Sequence, residues 1–340
     1  MRLGIDIGGT KTEAVAVANG DVVHRVTVST GYGATAVVRS AMDAAEQVRH
    51  ACGLPFHAFE SIGAGIPGHV DHRTGTVSHA VNLGFETLEL RAELSAHMGA
   101  EVHIDNDVNA AALGAHKWVG TMTAQTGGLM AYLNLGTGLA AGLVSNGAIW
   151  RGSNGAAGEI GHIPVRPDGL LCPCGQRGCL ETLASGSAIS RSWPSAEPLP
   201  ALALAAAAEN GDPLAIKVLN DLYDGAAAAV RILALTAGVG TVVIGGGLTA
   251  LGTQLLTGVR QSLDRTAAES KFVASLELSR QVNLLPRSFP AAAVGAALIG
   301  CGGSSAPAEA AGSDLAGSDL AGSKMPLAAA GSDVPLAASP

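Results

Sequence analysis

Two short segments, far apart in the chain, share one construction. An apolar run over residues 2–6 ends at Asp6 and a turn, Gly8-Gly9-Thr10, from which strand-like runs over 13–18 and 22–29 return. An apolar run over 129–135 likewise ends at Gly136-Thr137-Gly138, and a second strand over 140–145 follows. A strand, a backbone-exposing turn and an antiparallel return, made twice, suggest a duplicated α/β fold with a cleft between its halves. Glycine turns between strands are common, so the recurrence alone leaves coincidence open.

The remaining pattern fills in both halves. Residues 36–52 have helical spacing, with Gly53 and Pro55 just past their end. A strand over 60–66 closes at Pro67-Gly68, and another over 101–105 runs into a helix over 108–119. After a break at 121–128, Asp212-Pro213 caps a helix reaching residue 237. A strand over 241–244 then ends at Gly245-Gly246-Gly247, and 291–299 is a closing helix. The 340 residues suffice for two lobes at about 150 residues each. The expected division is a lobe over 1–120 and another over 121–302. Residues 303–340 repeat Ala-Gly-Ser-Asp in a low-complexity tail that is expected to be disordered.

Charge and hydropathy narrow the function. The net charge is −8 and no basic run occurs, which argues against nucleic-acid or anionic-membrane partners. No apolar stretch approaches the roughly 20 residues that span a bilayer, and no basic-then-apolar leader precedes Asp6. A cytoplasmic protein is expected.

The cysteines point to metal. Of five, three fall in Cys172-Pro-Cys174-Gly-Gln-Arg-Gly-Cys179, and His162 stands ten residues before the first. Three soft ligands and one imidazole make a tetrahedral structural zinc set with no position open to substrate. Reduced buried thiols beside a core histidine are the plain alternative, and iron–sulfur lacks a nearby fourth cysteine. Cys52 and Cys301 read as buried thiols.

The glycine turns suit anions. Asp6-Ile-Gly8-Gly9-Thr10-Lys11 joins two strands and lacks the P-loop spacing, yet its amides and the Thr10 hydroxyl can approach phosphate. Asp6 is placed to hold Mg²⁺ directly or through water. Gly136-Thr137-Gly138 offers the same chemistry from the other half. Asp105-Asn106-Asp107 lies where a strand meets a helix, so a carboxylate there suits either a general base for phosphoryl transfer or a simple helix cap.

Taken together these residues resemble the ROK family (repressors, open reading frames and sugar kinases), over about residues 2–301. The most specific match is Glu159-Ile-Gly-His162 followed by Cys-x-Cys-Gly-x-x-Gly-Cys-x-Glu, here Cys172 to Glu181. Asp6-Ile-Gly-Gly-Thr-Lys11, Gly65-Ile-Pro-Gly68, Asn106-Asp107-Val-Asn-Ala-Ala-Ala-Leu-Gly114 and Gly245-Gly-Gly247 match other signatures in order. The resemblance implies a two-lobed actin-like ATPase (ribonuclease H-like) fold with an interlobe cleft. It implies an ATP-dependent sugar kinase, glucose foremost, using Mg²⁺ with ATP and a structural zinc, and forming a dimer or tetramer. By the same resemblance Asp107 is the catalytic base, and Gly68, Asn106, Glu159, His162 and Glu181 bind the sugar. Asp6, Gly8, Gly9, Thr10, Lys11, Gly136, Thr137 and Gly138 cradle phosphate, Gly245 to Gly247 line the adenosine side, and His162 with Cys172, Cys174 and Cys179 holds zinc.

Two departures stand out. Leu139-Ala140-Ala141 follow the second turn where many family kinases carry further glycines, so a methyl group there would crowd the phosphates. Phe85 stands where many relatives have Trp. N-acetylglucosamine or N-acetylmannosamine kinases share every motif quoted. A sugar-responsive repressor needs a helix-turn-helix before the core, which five residues ahead of Asp6 do not supply. A weakly active sugar-binding protein is the remaining rival.

Overall fold

The computed structural model describes residues 1–122, 127–197 and 200–300. The disorder expected of 303–340 and the burial expected of Cys301 lie outside those residues.

The chain starts with β1 (Arg2–Ile7), β2 (Lys11–Ala18) and β3 (Asp21–Ser29), each antiparallel to the one before. Strand β2 is buried on both faces, whereas β3 alternates, as an edge strand with one wet face should. Helix α1 (Ala34–Cys52) buries Val37, Val38, Ala41, Ala44, Ala45 and Val48, a stripe at three- and four-residue spacing, and stops at Gly53 in the left-handed conformation. Cys52, at the last turn, is half-buried rather than buried as expected. Strand β4 (Ser61–Ile66) is fully buried and parallel to β1.

A three-stranded antiparallel insertion follows, β5 (His69–Asp71), β6 (Thr76–Ala80) and β7 (Phe85–Leu88), then α2 (Leu90–Met98). Strand β8 (His103–Asn106) pairs in parallel with β4 and runs straight into α3 (Asp107–Met122). The register with β4, Gly63 opposite His103, sets this strand two residues later than the expected 101–105.

The second half repeats the plan. Strands β9 (Leu129–Leu135), β10 (Leu139–Ser145) and the short β11 (Ala148–Ile149) form an antiparallel run. Helices α4 (Gly186–Ser192), α5 (Pro200–Glu209) and α6 (Pro213–Ala237) follow. The last begins as expected, with Asp212 accepting the amides of Leu214 and Ala215, both at 2.9 Å. Strand β12 (Thr241–Gly245) lies parallel to β9, and after α7 (Thr253–Ala268) and α8 (Lys271–Ser275), β13 (Val282–Leu284) lies parallel to β12. Helix α9 (Ala291–Leu298) ends the described chain.

The first sheet has the order β3-β2-β1-β4-β8 and the second β11-β10-β9-β12-β13, the same order with the same pattern of parallel and antiparallel pairs. Each half also lends its last helix to the other. Helix α3 stays against β4 and β8 of the first sheet and also packs on β9 and β10 of the second, and α9 packs on β1 and β4 of the first. Ser61 of β4 donates to the Ala297 carbonyl of α9 at 2.8 Å. Only small residues permit this. A Cβ on Gly142 would lie 2.6 Å from the Val108 carbonyl, and one on Gly295 only 1.7 Å from the Ala110 carbonyl. Here α3 and α9 touch backbone to backbone. Among the described residues no helix is long and apolar enough to cross a membrane.

Candidate functional site

The two glycine turns are built alike. Gly8 N–H donates to the Lys11 carbonyl at 2.9 Å, and Gly136 N–H to the Gly138 carbonyl at 3.0 Å. The first turn lies between the paired residues Ile7 and Thr12, the second between Leu135 and Leu139, one residue shorter. Gly9, Thr10 and Thr137 are exposed at the turn tips. Two residues before each first glycine stand Asp6 and Asn134.

Both of those residues line one cavity of about 390 Å³, together with Lys11, Glu13, Asp107, Tyr132 and Gly245 to Gly247. The arrangement decides between the two aspartates at the β8–α3 junction. Asp105 is 2% exposed and its carboxylate accepts from the Asn106 amide (2.8 Å), Asn109 Nδ2 (2.9 Å) and the Arg151 guanidinium. It is neutralised and turned away. Asp107 opens α3 and faces the cavity, while Asn106 does the capping: its Oδ1 accepts from Val108 N–H at 2.9 Å. Asn106 Nδ2 donates to the Gly68 carbonyl at 3.1 Å, which ties two of the expected sugar residues together.

The cavity floor is crowded with like charge. Burial raises the Asp6 carboxyl to about 7, and the nearby Asp107 and Glu13 add to the rise, with Lys11 opposing it. Burial also raises Asp107 to about 6, against the pull of backbone amides, and Glu159 raises it further. A carboxyl that loses its proton near neutrality suits a general base, and the close negative charges left behind would attract a cation. Tyr132 is pushed up by burial and then by Asp107 and Asp6, and its hydroxyl is hydrogen-bonded to the Gly246 backbone.

A second hollow, of about 440 Å³, is lined by Gly136, Thr137, Gly186, Ser187, Ile189, Gly247 and Leu248, and is mostly apolar. Gly247 borders both hollows. The N-terminus of α4 docks on the second turn, with Gly186 N–H on the Gly136 carbonyl at 2.8 Å. Of the two alanines that follow this turn, Ala141 faces the core and Ala140 is half-buried. Any crowding of a ligand therefore falls to Ala140.

Glu159 is exposed and immediately precedes a 3-10 turn, Ile160–His162. Glu181, on the 3-10 turn Leu180–Thr182, accepts the Leu139 amide at 3.0 Å and lies against Gly138. The ligand atoms of His162, Cys172, Cys174 and Cys179 all lie within 4.8 Å of one another. Cys174 and Cys179 sulfurs are 3.6 Å apart, and His162 Nδ1 is 3.8 Å from the Cys172 sulfur. A tetrahedron with zinc–sulfur bonds of about 2.3 Å has edges of about 3.8 Å, so the four donors fit that ion. Gly178 makes the loop possible, since a Cβ there would lie 1.6 Å from the Arg166 carbonyl.

Arg151, Tyr132, Asn134 and Glu13 were not expected here. Arg151 is followed by a glycine-rich segment, but its partner Asp105 lies 46 residues earlier, beyond any local spacing rule.

A sequence profile of the ROK family matches residues 2–299. The chain is 33% identical to a glucokinase of Streptomyces coelicolor over 285 residues, 78% of this chain and 87% of that protein. It is 34% identical to an N-acetylmannosamine kinase of Vibrio vulnificus over 189 residues, 55% of this chain and 62% of that one. The crystal structure of a ROK family glucokinase from Streptomyces griseus, in complex with glucose and AMPPNP, superposes with a TM-score of 0.70 at 31% identity, covering 87% of this chain and 97% of that chain. The duplicated sheets with exchanged helices are those of the two-lobed actin-like ATPase fold, and the chain belongs to the ROK family.

Proposed function

We propose that this chain transfers the ATP γ-phosphate to O6 of a hexose, with glucose the preferred acceptor. The class is plain: it is an ATP-dependent sugar kinase. Glucose is favoured by the glucokinase relatives, and the observation that supports phosphoryl transfer by a base at Asp107 is the contrast at the β8–α3 junction. Asp105 is consumed by an ion pair, whereas Asp107 faces the cavity that Asp6 and Gly245 to Gly247 also line.

Asp107 takes the proton from the attacking hydroxyl, since phosphoryl transfer asks the protein for positioning, charge neutralisation and such a base. Gly68, Asn106, Glu159, His162 and Glu181 hold the sugar hydroxyls. Gly8 to Lys11 and Gly136 to Gly138 flank the phosphates, and the apolar hollow beside Gly247 takes the adenosine. Asp6 is the carboxylate that would hold the Mg²⁺ accompanying ATP, and the cation would offset the charge of the phosphate oxygens. His162, Cys172, Cys174 and Cys179 would hold a zinc ion, which would fix the segment between Glu159 and Glu181. The same reading puts the lobe boundary near residue 120 and expects a dimer or tetramer.

An N-acetylmannosamine kinase is the second reading, favoured by the Vibrio relative. ADP release across glucose, mannose, fructose, N-acetylglucosamine and N-acetylmannosamine separates the two, with a polyphosphate arm testing the donor. Turnover with N-acetyl sugars alone would replace the glucose assignment. Zinc is expected at about one per chain. Cys174→Ala should lower metal content, melting temperature and sugar affinity together, and an unchanged metal-free protein would remove zinc from the account.

A further inference from the structure

Arg151 stands where two parts of the site meet. It follows β11 and opens the glycine-rich segment that ends at Glu159. That segment folds back on itself, with Ala157 N–H on the Arg151 carbonyl at 3.2 Å, and Ala141 N–H fastens its end to β10 through the Gly158 carbonyl at 2.8 Å. The side chain of Arg151 reaches elsewhere. Nε (3.1 Å) and Nη2 both donate to Asp105 Oδ2, at the end of β8. The other Asp105 oxygen accepts the Asn106 amide at 2.8 Å and Asn109 Nδ2 at 2.9 Å. A carboxylate with four donors and almost no water has one orientation. The next two residues are Asn106 and Asp107.

We propose that Arg151 is a positioning residue, which through Asp105 sets the angle of Asn106 and Asp107 against the segment carrying Glu159. The inference rests on reading Asp107 as the base. One arginine thus fastens the catalytic strand–helix junction of the first half to the acceptor-binding segment of the second. Stability is a weak explanation for such a pair. A buried ion pair gains little over well-packed apolar side chains, which would hold two segments together without fixing their angle. Asp107 and Glu159 already lie near enough for one carboxylate to raise the other, so a small rotation at the junction alters their spacing.

The test uses the full chain, with kcat, KM for glucose, KM for ATP and melting temperature measured for Arg151→Gln, Arg151→Lys, Asp105→Asn, the Gln/Asn double variant and Asp107→Asn. Misplacement of a reacting group by about 1 Å costs up to about 10²-fold, so each single change at the pair should lower kcat by about ten- to a hundredfold. KM for ATP should stay within about twofold. The double variant should be no slower than the poorer single one, since both break the same link. Arg151→Lys keeps the charge and should keep the melting temperature, yet stay slow, because an ammonium lacks the two-pronged contact. Wild-type kcat in Arg151→Lys, or losses that add in the double variant, would overturn the inference. Asp107→Asn is the separate arm: its full activity would sink the base assignment whatever Arg151 does. Its inactivity beside a fully active Arg151→Lys would sink only the positioning role.

Discussion

The two halves of the molecule have the same sheet order and the same turn, but not the same chemistry. In the first, the strand before the turn carries Asp6 as its second-last residue, and Lys11 and Glu13 follow, all three on the shared cavity. In the second, Asn134 holds the place of Asp6, and by register Ala140 holds the place of Glu13. The first half is ionic where the second is neutral and apolar. A duplicated scaffold thus presents charge to one cavity and an apolar hollow beside it. Fold symmetry fixes where the groups stand, and sequence asymmetry fixes what each can do.

The sharpest break in this comparison is at Asp107, which has no acidic counterpart in the second half, where Leu285 follows β13. Asp107→Asn should lower kcat by about 10²–10⁴-fold, with zinc content unchanged by metal analysis. Next, Asp6→Asn makes the second-last residues of β1 and β9 alike. A ligand acting on a metal through water contributes about 10–100-fold, so turnover should fall by that amount, with part recovered at high Mg²⁺. A variant as fast as wild type would show that the charge difference between the halves is idle.

The same substitution has a second, smaller effect with a definite sign. Asp6 and Asp107 are raised to about 7 and about 6, so the folded chain retains protons that the unfolded chain releases above about 4. Their contribution to stability therefore falls as pH rises from about 4 through about 7. Asp6→Asn should melt a few degrees above wild type at pH 8 and level with it at pH 4. In wild type, kcat/KM should climb with pH through about 6 to 7 as the base loses its proton. The smallest effect lies on the apolar side. Ala140→Gly should lower KM for ATP by less than about tenfold. Ala141→Gly should cost about 0.5–1 kcal/mol of stability without helping the nucleotide. If the two behave alike, the assignment of Ala140 to the ligand face is wrong.

Much of this was legible in the sequence, for identifiable reasons. The paired strands announced themselves because each turn sits between apolar runs at short range. The cluster of His162 and the three cysteines was readable because its members are gathered from one short stretch of chain. The insertion β5–β7, α2 and α7 were not read, since short strands and helices with a sparse apolar stripe resemble loops at the sequence level. The family resemblance singled out Asp107, but residue chemistry alone did not separate it from Asp105. Two aspartates separated by one residue look equivalent until Arg151 arrives on one of them from the other half. Asn134 is hidden for a related reason, since its meaning comes only from matching Asp6 across the duplication.

The exchange of α3 and α9 has a consequence in time. The strands of the first sheet are complete by Asn106, yet the helix that covers β1 and β4 is the last one described. At about 5–20 residues per second, the ribosome needs roughly 10–35 s to travel from the end of α3 to the end of α9. Through that interval α3 is the one of the two helices available to the apolar face at β4 and β8, and it is the C-terminal stretch that closes the part over β1. Damage near the end of the chain is thus expected to be felt first at its beginning.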